Sequence, residues 1–148
     1  MEKKEYKINI SAPRERVWEV LWDDASYRAW TAAFAEGSKV ETDWTEGSKV
    51  LFLDNNNQGM VSRIEKNKPN EFMSIKHLGI VKDGVEDYDS EESRKWGESF
   101  ENYTLKPVNG GTELVVDMTA NAIPKEFETY FAEAWPKALN KLKELAEA

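Results

Sequence analysis

Few residues of this chain invite chemistry, and its rings outnumber them. His77 is the sole histidine, close to the end of an alternating segment and beside an acidic run. With a reference pKa of about 6.5 an imidazole can pass protons to a nearby carboxylate, but a place at a strand end reads more simply as a solvated residue. Lys76 beside it would form a Schiff base only if desolvated, and no pattern around it argues for that. There is no cysteine, which excludes disulfides, thiolate metal sites and thiol nucleophiles and fits a reducing compartment. No Ser-His-Asp or His-Glu spacing stands out, so no catalytic residue, metal ligand or cofactor is assigned.

Six tryptophans, six phenylalanines and five tyrosines remain, and rings of that number recognise apolar, flat molecules or fill a core. Trp30, Phe34, Phe52, Trp96, Phe100, Phe131 and Trp135 are the rings that a helix and a sheet would bring together, and they are the candidate ligand-binding residues. Which sheet rings point inward depends on register, and a slip of one residue inverts the choice. At roughly 24 cal/mol per Å³, leaving ~300 Å³ empty and apolar would cost on the order of 7 kcal/mol, against a domain stability of about 5–15 kcal/mol. A space of that size therefore holds ligand or water, or large side chains close it. A ligand-sized pocket and a ring-filled core both remain open.

The elements that must position these rings follow from periodicity. From Pro124 to about Glu147 the apolar residues Phe127, Phe131, Trp135, Ala138, Leu142 and Leu145 recur at steps of three and four, with Lys125, Glu128, Lys137, Lys141 and Glu144 opposite. Such a helix is roughly 36 Å long and can lie across a whole sheet. Pro136 inside it removes a donor and crowds the carbonyl of Ala132, which predicts a bend beside Trp135, either simple curvature over the sheet or a gate at the pocket end. At the other end, Tyr6, Ile8 and Ile10 alternate as a strand, Ser11 or Ala12 is the predicted cap region with Pro13 in the first turn, and Val17, Trp18, Leu21 and Trp22 follow at helical spacing. Asp23-Asp24 breaks that helix and caps a second one carrying Tyr27, Trp30 and Phe34. Strands are then predicted over 38–44, 49–53, 60–66, 71–77, 96–107 and 112–120, joined by turns at Gly47, 54–59, 67–70 and Asn109-Gly110-Gly111. From Gly79 to Lys95 alternation fails and acidic residues predominate, which predicts a mobile, dispensable loop, with Tyr88 in it a potential anchor for a basic partner.

Ile10-Ser11-Ala12-Pro13 before Val17-Trp18-Glu19-Val20-Leu21, Trp30 closing the second helix, the Gly47 turn, Gly111-Thr112-Glu113-Leu114, and a terminal helix with Trp135 ahead of Leu139 and Leu142 together resemble the START-like superfamily. Within it they are most similar to the branch of the heat shock protein 90 ATPase activator homologues, also called SRPBCC or polyketide-cyclase-like proteins. The resemblance spans essentially the whole chain. It implies an α+β helix-grip fold, in which a curved antiparallel sheet wraps the C-terminal helix around a hydrophobic cavity, and one domain over 1–148. It also implies binding of lipids, sterols, polyketides or similar molecules, with a few members acting as enzymes. The acidic 79–95 stretch is longer than the family pattern.

A formal charge of −8 makes nucleic acid a poor partner. The chain starts on charged residues and has no apolar run of the roughly 20 residues that span a bilayer, so the expectation is a cytoplasmic protein without a membrane span. The reading is a binder of a small hydrophobic ligand that does not necessarily transform it. One alternative is a co-chaperone-like module docking on a chaperone or other protein. A second is a cyclase- or hydratase-type enzyme, which paired inward polar groups would favour. Oligomeric state is left open.

Overall fold

Tyr6 and Ile8 turn one way and Lys7 and Asn9 the other, and this alternation seats β1 (Glu2–Ile10) as an edge strand with one wet face. The computed structural model describes residues 2–96, 99–120 and 125–148, and the side chains of all of these except residues 2, 96 and 126. After β1 come α1 (Arg14–Trp22), α2 (Asp24–Thr31), β2 (Lys39–Glu41), β3 (Lys49–Leu53), β4 (Gly59–Lys68), β5 (Phe72–Lys82), β6 (Val85–Asp87), α3 (Glu91–Trp96), β7 (Ser99–Val108), β8 (Gly111–Ala120) and α4 (Lys125–Glu147). The strands form one antiparallel sheet in the order β1-β8-β7-β5-β4-β3-β2, with β6 added at the end of β5. The β4–β5 pairing is irregular at two places, where β5 carries the extra residue Leu78 opposite Val61–Ser62 and β4 the extra residue Glu65, and such bulges bend the strands. The concave face, with Val50, Ile64, Met73, Ile75, Tyr103 and Leu114, packs on α1, α2 and α4 through Val17, Leu21, Trp30, Trp135 and Leu142. This is the α+β helix-grip architecture. No helix among the described residues is long and apolar enough to cross a membrane.

Local chemistry moves several predicted boundaries. The α1 helix starts at Arg14, and the Pro13 carbonyl accepts from the Arg16 and Val17 N–H groups. Ser11 does not cap it: its N–H donates to the Glu147 carboxylate instead, and the Ala12 carbonyl accepts from Thr112. Asp23 is the cap residue of α2, through its backbone alone. Phe34 lies beyond that helix, in a turn where its N–H donates to the Thr31 carbonyl. The strand expected over 38–44 is confined to Lys39–Glu41. Beyond it the Thr42 hydroxyl and the Asp43 carboxylate accept from the Trp44 and Thr45 N–H groups, and Trp44 takes a φ of 64°, a local bonding pattern that competes with a ladder. The helix continues through Pro136; the expected start at Pro124 lies outside the described residues.

The acidic segment is the largest correction. Instead of a loop from Gly79, β5 continues to Lys82, turns into β6 and leads into α3. Gly79 has room for nothing but hydrogen: a Cβ there would stand 2.4 Å from the Asp87 carbonyl oxygen and 2.9 Å from Ser93 Oγ. Ser93, at 0% exposure, donates to that same carbonyl. The segment thereby covers the convex side of β5, where Val61, Val81, Leu53 and Leu51 form a second apolar cluster. Its carboxylates are held from outside, Glu86 by Lys49 at 3.1 Å and Glu92 by Lys82 at 2.7 Å. Such exposed pairs are worth little. The buried contact at Gly79 and Ser93 seats the segment, which is ordered secondary structure and not the loop its charge predicted.

Candidate functional site

Where α4 crosses the sheet its C-terminal half fits closely and its N-terminal half does not. Between the first turns of α4, the α2–β2 connection and the ends of β3, β5 and β7 lies a cavity of about 770 Å³. Trp135 is its deep aromatic wall, 3% exposed, stacked on Tyr6 at 5.8 Å and met edge-on by Phe34 at 4.7 Å. Trp30 closes the same wall and donates its indole N–H to the Leu21 carbonyl at 3.2 Å. The Trp135 N–H has no partner among the described residues. Phe52 from β3 and Phe131 from α4 are half-buried walls nearer the surface, and the mouth carries Asp54, Gln58, Lys82 and Glu92.

Of the seven predicted rings, Trp30, Phe34, Phe52, Phe131 and Trp135 line this space together. Phe100 also borders it, but the register turns its ring to the convex face: it pairs with Lys76, whose ammonium nitrogen lies 5.9 Å from the ring centroid. The strand at this point shows the cavity the neighbours Ser99 and Glu101 instead. Trp96 is the last residue of α3, and its side chain lies outside the described residues.

The concave wall is not wholly apolar. His77 is not a solvated strand end: β5 continues past it, it pairs with Ser62 on β4 and Ser99 on β7, and it is 7% exposed. Its Nδ1 lies 2.7 Å from the Ser62 hydroxyl and its Nε2 lies 3.4 Å from Glu101 Oε1. The Tyr103 hydroxyl donates to Glu101 Oε2. Burial first, and the Glu101 charge second, push the phenols of Tyr27 and Tyr103 well above the ordinary tyrosine value, so both stay protonated.

Ser62, His77 and Glu101 share the composition of a hydrolytic triad but not its function. Ser62 is fully buried and outside the cavity lining, whereas a nucleophile must reach the reacting carbon. Ser62 instead fixes the imidazole ring, and the groups that reach the cavity are His77, Glu101 and Tyr103. Sequence reasoning missed the last two. Alternation groups Glu101 with Tyr103 and Leu105 on one face, but it is the burial of Tyr103 and Leu105 in the fold that identifies that face as the inward one.

The family described as "Activator of Hsp90 ATPase homolog 1-like protein" matches residues 11–147. Among solved structures, the chain is similar to the Aha1 dimer from Colwellia psychrerythraea, at 18% identity and a TM-score of 0.77 over 99% of this chain and 97% of that one. Protein MLL2253 from Mesorhizobium loti is 19% identical with a TM-score of 0.73, over 97% of this chain and 96% of that one. DynU16, a protein of the dynemicin biosynthetic locus, is 15% identical with a TM-score of 0.74, over 100% of this chain and 48% of that one. No curated protein sequence matches the chain at a significant level.

Proposed function

The chain belongs to the family of Activator of Hsp90 ATPase homolog 1-like proteins, and from that premise we propose that it binds a small hydrophobic molecule, of lipid, sterol or polyketide type, between the sheet and α4. One observation carries this: a chain with six tryptophans leaves about 770 Å³ unfilled between rings. That volume is within the usual range of ligand sites, roughly 300–1,000 Å³. Water against Trp30, Phe34, Phe52, Phe131 and Trp135 gains few hydrogen bonds, so an apolar ligand that displaces it gains the buried area of both surfaces. The test is a thermal-shift panel of sterols, fatty alcohols and aromatic polyketides, with native mass spectrometry of protein purified from its own host. A ligand at a hundredfold excess over its Kd adds roughly 2.7 kcal/mol of stability by linkage. A flat panel together with a ligand-free native mass overturns the reading.

The second reading is a co-chaperone-like module acting on a chaperone ATPase, favoured by the family match over 11–147. Stimulation of that ATPase by the purified chain, undiminished when Phe131 is truncated, would put it first. An enzyme of the cyclase or hydratase type draws on the inward His77, Glu101 and Tyr103, and turnover of a polyketide substrate that fails in Glu101→Gln would establish it.

A further inference from the structure

The mouth of the cavity carries Asp54, Gln58, Lys82 and Glu92, whereas deeper in, among the rings, the charged side chain on the concave wall is Glu101, beside His77 and Tyr103. We propose that Glu101 is the recognition residue of the pocket, accepting a hydrogen bond from a hydroxyl on an otherwise apolar aromatic ligand and turning away ligands that carry a carboxylate. This inference rests on the binding reading above and narrows it to a class.

Among the described residues each Glu101 oxygen has one neighbour, Tyr103 Oη at Oε2 and His77 Nε2 at Oε1. A carboxylate offers about four acceptor positions, so roughly two remain. The side chain keeps 19% exposure and borders the cavity, which places those positions within reach of a ligand. Its partners hold it still. The Tyr103 phenol is kept protonated by burial, so it donates permanently. The buried Ser62 hydroxyl engages Nδ1 and leaves Nε2 turned to Glu101.

A hydroxyl donating to a charged acceptor in a water-poor site gains about twice what a neutral pair gains. A ligand carboxylate meets the reverse. Two carboxylates at hydrogen-bonding distance cannot both stay ionised in a low dielectric, so one must take up a proton before the ligand binds. The net charge of −8 adds a repulsive field to every approaching anion. Fatty acids are therefore disfavoured on two counts. The walls favour rings over chains, because Trp30, Phe34, Phe52 and Trp135 offer faces and edges for offset or T-shaped contact.

Naphthalene, 2-naphthol and 2-naphthoate share one ring system and differ in the group presented. Their affinities are compared at neutral pH by tryptophan quenching, in the wild type and in Glu101→Gln, with the variant's fold checked by its circular dichroism and melting curve. The wild type is expected to bind the naphthol about tenfold tighter than naphthalene or better, the worth of a hydrogen bond to a charged group, and the naphthoate more weakly than naphthalene. In Glu101→Gln the naphthol-to-naphthoate ratio collapses by at least about tenfold. Equal ranking of the three by the wild type, or a ratio unchanged in the variant, overturns the recognition role while the pocket stands. If no probe binds the wild type, the pocket reading falls and this inference with it. The wild-type ranking decides the matter even where the variant fails to fold.

Discussion

The two halves of α4 lie on the same sheet and do different work. In the C-terminal half the inward residues are small or branched, Ala138, Leu139, Leu142 and Ala146, all buried and close against α1 and β1. In the N-terminal half they are rings, Phe127 and Phe131, only half-buried, with Tyr130 donating to the Phe34 carbonyl across the mouth. Small side chains let the helix approach the sheet until no space is left, whereas rings hold it away and leave the cavity between. One continuous helix thus seals the domain at one end and walls a pocket at the other.

The sharpest break of that comparison is Leu142→Ala. Leu142 has 0% exposure in the sealed half, and truncation there should cost about 2–5 kcal/mol in urea unfolding. Affinity for an apolar probe should stay within about twofold when measured well below the variant's melting temperature. A large loss of probe affinity would mean that the two halves are not separate.

Gly79→Ala extends the test to the convex side. The added methyl must displace the Asp87 carbonyl from 2.4 Å, and overpacking of this kind typically costs about 1–3 kcal/mol. An unchanged melting temperature would return the β6–α3 segment to the status of a loose loop.

That segment also marks where sequence reading runs out. The 3.6-residue stripe of α4 and the alternation of β1 are legible because one face of each is wet. β5 is buried on both sides from Gly79 to Val81, so no alternation betrays it, and its cover depends on Gly79 and Ser93, residues whose burial only tertiary contact decides. The site was legible in a similar way. Helical spacing brings Phe131 and Trp135 to one wall, but Phe100 and Glu101 differ by one residue of register, and only the pairing of Lys76 with Phe100 settles which of them faces inward.

Alkaline pH separates the pocket end from the sealed end by titration. The Tyr27 and Tyr103 phenols sit well above the ordinary value because they are buried near Glu101. The raised folded pKa gives stability that is complete below the unfolded value of about 10. Above that pH the unfolded chain loses protons that the folded chain retains, so stability should fall by up to about 1.4 kcal/mol per pH unit for each tyrosine. Urea unfolding between pH 9 and 11 should show a shallower fall in Tyr103→Phe than in the wild type. Parallel slopes would mean that the phenol is not closed off.

The smallest effect on stability should come with the most informative effect on binding. Phe131 is a half-buried wall of the pocket, so Phe131→Ala removes a ring that already borders open space and leaves little new cavity behind. Its cost in unfolding should fall below the 3–5 kcal/mol or so of a core Phe→Ala, at about 1–2 kcal/mol. Binding should suffer more in proportion, because a lost ring contact takes away burial and edge-to-face attraction together, about tenfold in affinity for naphthalene. Lys141, on the outer side of the sealed half with its ammonium 4.0 Å from Glu144, supplies the matching control: Lys141→Ala should move neither quantity by more than about 0.5 kcal/mol. The two substitutions sit ten residues apart on one helix, so any general loosening of α4 would register in both. Loss of probe affinity in Phe131→Ala alone assigns binding to the N-terminal half, whereas equal affinity in both variants would leave the rings there as spacers and remove them from the site.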